Sequence, residues 1–260
     1  MPYPNIDPVI FRIGPLAFRW YGMMYALSFI SAIFIIRYIA LKKKLQITHE
    51  QISDLMLYGA LGVILGGRLG YVLFYNPGYY VSNPSKIIAV WEGGMSFHGG
   101  LIGAILGGLY FCRRFKFPVY SVADVAIVSA PIGLALGRIG NFMNGELFGR
   151  ETDVPWCMIF PAGGDVCRHP SQLYEAALEG GALFIILWVL SKRDLAPGVV
   201  FWTMILGYGV FRFLVEFARE PDAHLGFLLG AFSMGQILSA PMILLGVFMI
   251  WRCRRVAEAV

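Results

Sequence analysis

Residues 122–149 read VADVAIVSAPIGLALGRIGNFMNGELFG. Past Asp124, the run to Leu136 has Ser129 as its only polar member; Arg138, Asn141, Asn144 and Glu146 then crowd onto its end. An apolar stretch of this kind approaches the roughly 20 residues that cross a bilayer. Charge at such a place is costly and is tolerated mainly for a purpose. One segment therefore sets two expectations, a membrane span and a polar site at its end.

Composition extends the first expectation to the whole chain. The 260 residues are 58% hydrophobic and 14% charged, with a mean hydropathy of +0.66. Soluble domains run nearer to about 25% charged. The expected class is an all-α polytopic membrane protein, a single integral-membrane domain over residues 1–260. A β-barrel would show alternating segments of about 10 residues, and none recur. The N-terminal MPYPNIDPVIF lacks a basic stretch leading to a cleavage site, so the first span is expected to insert and stay. About seven spans fit, near 19–41, 54–75, 95–112, 121–139, 171–191, 198–218 and 233–251.

Basic residues set an orientation. Lys42, Lys43 and Lys44 follow span one, Arg113, Arg114 and Lys116 span three, Lys192 and Arg193 span five, and Arg252, Arg254 and Arg255 span seven. The opposite loops and the N-terminal tail hold Arg12, Lys86, Arg150, Arg168 and Arg219. The positive-inside rule makes the first face cytoplasmic and puts the N-terminus outside, the C-terminus inside. The net charge of +5 is read as a topology signal, with no nucleic acid expected as a partner.

Span two carries Gly62, Gly66 and Gly70, span three Gly99, Gly103 and Gly107, and span four Gly133 and Gly137. One small residue per turn lets helix backbones approach closely, so spans two to four are expected to cluster. Residues 76–94 hold Tyr79, Tyr80 and Trp91, which suit the membrane interface. Residues 147–170, the longest connection, are expected to cap the outer mouth. Cys157 and Cys167 lie in that loop; a disulfide in an oxidising compartment and two unlinked thiols are both open. Cys112 and Cys253 are expected to stay reduced on the cytoplasmic face. No cysteine pair has zinc-ligand spacing, and no metal site is expected.

The polar groups within the spans form a short set: Tyr21 at the outer end of span one, Arg68 in span two, His98 near the outer end of span three, Arg138 with its amides and acid, and Tyr208, Arg212 and Glu216 in span six. The last three are successive i, i+4 neighbours on one stripe. Arg212–Glu216 also reads as a plain buried ion pair, Arg68 as a residue that holds the bundle, and His98 as a helix-end group bonded to backbone. By the expected topology His98, Arg138 and Arg212 share the outer half of the bilayer, which suggests one polar cavity. Arginines match phosphate geometry with paired N–H donors, asparagine amides donate to ester or phosphate oxygens, and histidine is a candidate base near neutral pH. The same groups would also serve a transporter, although no internal repeat of the transporter kind is visible. HExxH, GxSxG and P-loop patterns are missing, which takes weight from metalloprotease, serine hydrolase and nucleotide-driven pump.

GRIGNFMNGELFG at 137–149 resembles the signature of the bacterial prolipoprotein diacylglyceryl transferases. So do DPVIFRIGPLAFRWYGMMY (7–25), GGRLGYVLFYN (66–76), WEGGMSFHGGLIG (91–103), RHPSQLYE (168–175), YGVFRFLVEFAREPD (208–222) and SMGQILSAPM (233–242), in the family's order over nearly the whole chain. The resemblance implies a bacterial inner-membrane enzyme without cofactor. Its partners would be phosphatidylglycerol, membrane lipid, and a prolipoprotein signal peptide with its lipobox cysteine. The diacylglyceryl group would move to that cysteine's thiol and glycerol phosphate would leave. Carried onto this sequence, Arg138 and Arg212 would hold the phosphate, and Asn141, Asn144 and Glu146 would shape the glycerol site. Tyr21 and Tyr208 would position lipid or acceptor, Glu216 would contribute to substrate binding, and His98 would take the thiol proton. An arginine-rich field that lowers the thiol pKa would make such a base unnecessary.

Overall fold

The computed structural model describes all residues except 5, 15, 221–226, 229–231 and 259–260, and the side chains of 16, 227 and 228 are also left aside. The described residues group into two compact units, Met1–Lys43 with Asp124–Val260, and Lys44–Ala123.

The long helices fall where the apolar runs place them. They are α1 (Trp20–Lys42), α2 (His49–Phe74), α3 (Phe97–Phe115), α4 (Val119–Met143), α5 (Ser171–Ser191), α6 (Val199–Val215) and α7 (Met234–Glu258). Five of them, α1, α2, α4, α5 and α7, are long and apolar enough to cross a membrane, while α6 is a shorter apolar helix. The segment expected as span three is α3, 19 residues long. The chain is a polytopic α-helical membrane protein.

In the smaller unit, α2 begins with a reciprocal cap. Thr48 Oγ1 accepts from Gln51 N at 3.2 Å, and Gln51 Oε1 accepts from Thr48 N at 2.9 Å, which satisfies two otherwise orphaned N–H groups. The glycine seam is where α2 meets α3. A Cβ on Gly62 would strike the carbonyl of Gly103, one on Gly66 that of Gly99, and one on Gly107 that of Tyr58. The glycines of α4 that belong to the larger unit have other settings. Gly133 faces Ser28 of α1 at 3.8 Å, and Gly137 borders open space. Small residues permit close approach, but the partner is chosen by the rest of each helix face.

Arg68 of α2 turns out to organise the 84–94 loop. It donates to the carbonyls of Lys86, Gly93, Ile87 (2.8 Å) and Gly94 (3.1 Å), and lies over the Tyr80 ring at 5.2 Å. Ser96 N then donates to Gly67 O at 2.8 Å, and Ser96 Oγ caps α3 through Gly99 N at 3.3 Å.

In the larger unit an antiparallel hairpin, β1 (Val9–Ile13) and β2 (Leu16–Arg19), precedes α1. Phe11 stacks on Phe18 across it at 4.5 Å, and Gly14 takes the left-handed turn at φ 59°. A second, two-residue hairpin, β3 (Phe227–Leu228) and β4 (Phe232–Ser233), precedes α7. α1 packs on α4, α4 on α5, and α6 on α7. Asp124 anchors α6, accepting from Gly198 N at 2.7 Å and Phe201 N at 2.8 Å, as a carboxylate does at a helix N-terminus.

The 147–170 loop is folded on itself. Gly149 N donates to His169 O (2.8 Å) and His169 N to Arg150 O (3.0 Å), while Met158 and Arg168 exchange backbone bonds at 2.9 and 2.8 Å. Cys157 and Cys167 are joined by a disulfide, with Cα atoms 5.4 Å apart; Cys112 and Cys253 are free. Phe160 is fully buried among Tyr3, Phe142 and Phe148, at ring distances of 5.2, 6.2 and 5.3 Å. Tyr3 Oη donates to Phe142 O (2.6 Å) and approaches Met143 O (3.0 Å), so the loop is fastened to the end of α4.

Candidate active site

Arg138 and Arg212, on α4 and α6, converge on α5. Arg138 Nε lies 2.8 Å from Glu175 Oε2, and Arg212 Nη1 lies 3.0 Å from the same oxygen. Arg212 Nη2 pairs with Glu216 Oε2 at 2.9 Å, one turn along α6. A second acid of α5 stands further off: Glu179 Oε2 is 4.0 Å from Arg138 Nη2, and Glu179 Oε1 is 3.7 Å from Arg212 Nη1. Glu175 and Glu179 are fully buried, Glu216 is 3% exposed, and the guanidinium side chains keep 19% and 11% exposure.

Local backbone makes this cluster. α5 widens into a π-helical stretch over Ala176–Ala182, and such wide turns occur often at functional sites. It leaves both Glu175 and Glu179 buried beside the arginines. Gly180 brings α5 onto α4, since a Cβ there would meet Ala135. Gly235 at the start of α7 makes room for Glu216, because a Cβ would lie 2.6 Å from the carboxylate.

The end of α4 is a second polar knot. Glu146 Oε1 accepts from Asn141 Nδ2 at 2.9 Å and from Asn144 Nδ2 at 3.1 Å. Gln172 Nε2 donates to Glu146 O at 2.7 Å, and Ser171 Oγ to Leu147 O at 3.2 Å. The start of α5 and the turn after α4 are thereby locked together. Tyr21 of α1 packs against Gly140, whose Cβ would lie 2.9 Å from the ring, and feels the charges of Arg138 and Glu146. Tyr208 stands one turn before Arg212 on α6. Arg150 reaches from the 147–170 loop to the last carbonyls of α6, with Nε on Arg219 O at 2.7 Å and Nη2 on Glu216 O at 3.0 Å.

Of the residues singled out in the sequence, one unit thus gathers Arg138, Asn141, Asn144, Glu146, Tyr21, Tyr208, Arg212 and Glu216. His98 belongs to the other unit, in the first turn of α3, exposed and edge-on to Phe97 at 5.6 Å.

Residues 8–252 match the family model described as prolipoprotein diacylglyceryl transferase. The chain belongs to this family. It is 61% identical over 249 residues to a phosphatidylglycerol–prolipoprotein diacylglyceryl transferase of Geobacter sulfurreducens, with 96% of each chain covered. A relative of the same name from Vibrio vulnificus is 52% identical over 256 residues, covering 98% of this chain and 94% of the other. One from Bordetella parapertussis is 53% identical over 249 residues, covering 95% of each.

For a prolipoprotein diacylglyceryl transferase family member, sequence reading missed the acids of α5. Glu175 was quoted only as the end of RHPSQLYE, and Glu179 was not singled out at all. The available signal was the one that exposed Arg138. In SQLYEAALEGGALFIILWVL two acids sit four residues apart in an otherwise uncharged segment, where charge is costly.

Proposed function

We propose that this chain transfers the diacylglyceryl group of phosphatidylglycerol to the lipobox thiol of a prolipoprotein, the first step of lipoprotein maturation. Family membership supports the reaction. The observation that carries the site is the meeting of Arg138 and Arg212, from separate helices, on one buried carboxylate oxygen at 2.8 and 3.0 Å. Fixed cations that keep 19% and 11% side-chain exposure suit an anionic phosphodiester, and they oppose the charge that develops as it leaves.

The thiolate is the nucleophile. Its sulfur attacks the glycerol carbon that bears the phosphate, a C–S bond forms, the C–O bond breaks, and its electron pair leaves on glycerol phosphate. Arg138 and Arg212 hold the phosphate, and Asn141, Asn144 and Glu146 shape the adjoining head-group site. Tyr21 and Tyr208 position lipid or acceptor, and Glu216 holds Arg212 in place. His98 takes the thiol proton. Residues 1–260 act as one integral-membrane domain of seven spans in the bacterial inner membrane, with the N-terminus and the 147–170 cap outside and the C-terminus inside.

The test is turnover. Purified protein in detergent is mixed with phosphatidylglycerol and a lipobox peptide, and the peptide is expected to gain the mass of one diacylglyceryl group. No mass shift with intact, folded protein would overturn the reading.

A further inference from the structure

Glu175 and Glu216 take the close ion pairs with the two arginines, at 2.8–3.0 Å. Glu179 does not. It is 0% exposed, neither of its carboxyl oxygens has a hydrogen-bond partner among the described residues, and its ion-pair distances are 3.7 and 4.0 Å. Around it lie Arg138 of α4, Tyr208 and Arg212 of α6, its neighbour Glu175, and the charge of Arg219 beyond α6. Buried polar atoms are nearly always satisfied, and leaving one unmade costs about 1–3 kcal/mol. An acid retained in that condition between two guanidiniums marks a place that a ligand completes.

The missing partner is a donor. Both carboxyl oxygens are acceptors that lack one among the described residues, and a phosphodiester oxygen already held by a guanidinium carries no proton to offer. Acyl chains carry no donor. The group that fits beside a guanidinium-bound phosphate is a hydroxyl attached to it through a short carbon chain.

We propose that Glu179 is a specificity-determining residue, whose carboxyl group accepts hydrogen bonds from the hydroxyls of the head-group glycerol while Arg138 and Arg212 hold the adjoining phosphate. This rests on the transferase reading above and assigns the diol to α5, next to the knot of Asn141, Asn144 and Glu146. In that knot both amides already donate to Glu146 Oε1. A carboxylate beside the clamp also disfavours a bare phosphate and favours a phosphodiester with hydroxyls, because an analogue that lacks them leaves the buried acid unpaired.

The experiment compares kcat/KM of the full-length protein for phosphatidylglycerol and for phosphatidylmethanol, a phosphodiester of the same charge without hydroxyls, with one lipobox peptide as acceptor. Wild type is expected to prefer phosphatidylglycerol by 10-fold or more. Glu179→Leu, which removes both acceptor oxygens at similar size, is expected to erase most of that preference by losing rate on phosphatidylglycerol alone. Glu179→Asp keeps the acid but draws it back by one methylene; it is expected to reduce the preference too, which guards against a folding defect in the leucine variant. Wild type without a preference, or an equal loss on both lipids in both variants, would overturn the assignment, the second outcome marking Glu179 as scaffold. Wild type inactive on phosphatidylglycerol itself would strike the transferase reading instead.

Discussion

Glu175 Oε2 is the atom on which two helices agree. Two guanidiniums share it in a buried setting, so each fixes the direction of the other. Lysine at position 138 would keep the charge but lose the planar fork. Arg138→Lys is expected to lower kcat/KM for phosphatidylglycerol by about 100-fold, the scale of losing one aimed donor at a developing charge. A wild-type rate would count against phosphate clamping. Glu175→Gln keeps the shape and removes the anion that the two guanidiniums share, the close ion-pair partner of Arg138. Breaking a buried pair typically costs about 3–5 kcal/mol, so a lower unfolding temperature in detergent is expected together with the loss of rate. His98→Ala separates the two sources of a thiolate. If His98 takes the proton, the variant slows at neutral pH and recovers as pH rises toward the ordinary thiol range near 8.5; a normal rate at pH 7 would remove histidine from the chemistry.

At the scale of elements, the glycine seam between α2 and α3 has no slack. A side chain at Gly103 would be forced into the Gly62 carbonyl, and overpacking costs typically about 1–3 kcal/mol. Gly103→Val should lower thermal stability, while Gly108→Ala, with nothing within 4 Å, should not. The helices themselves were legible from hydropathy: each apolar run became a helix, with ends that differ from the expected ones by up to seven residues, as where α7 continues from 251 to Glu258. Arg138, the amides and the Arg212–Glu216 stripe were legible because charge in a span is conspicuous. The pairing of glycine faces was not, since Gly133 and Gly103 obey the same spacing rule and meet different partners. Nor was the β1–β2 hairpin, since strands of five and four residues are too short for apolar periodicity to mark. The π-helical turn of α5 has no one-dimensional signature, and it is the element that buries Glu175 and Glu179 against two other helices.

For the whole molecule, the free and bonded cysteines make the orientation testable. Intact cells treated with a membrane-impermeant reductant should expose Cys157 and Cys167 to an impermeant maleimide, while Cys253 should label only after permeabilisation; the reverse pattern would invert the topology. The 147–170 loop should also respond to pH. Burial pushes His169 below its ordinary 6.5. The folded loop therefore favours neutral imidazole, and this contribution is complete above about pH 6.5 and is lost as pH falls below it, because the unfolded form then binds more protons. Limited proteolysis of the loop is expected to be faster at pH 5.5 than at pH 7.5, with a smaller difference in His169→Gln.

The wide turn at Ala176–Ala182 carries a consequence for how such a site can change over time. A π turn is the form an α-helix takes when it accommodates one surplus residue. Because the wide turn absorbs that residue, the segments on either side are already in register, and deleting it would restore regular winding without turning Glu175 away from the arginines. The change would be confined to the turn, where Glu179 stands. A one-codon deletion is thus expected to spare membrane insertion and the shared carboxylate while displacing the second acid.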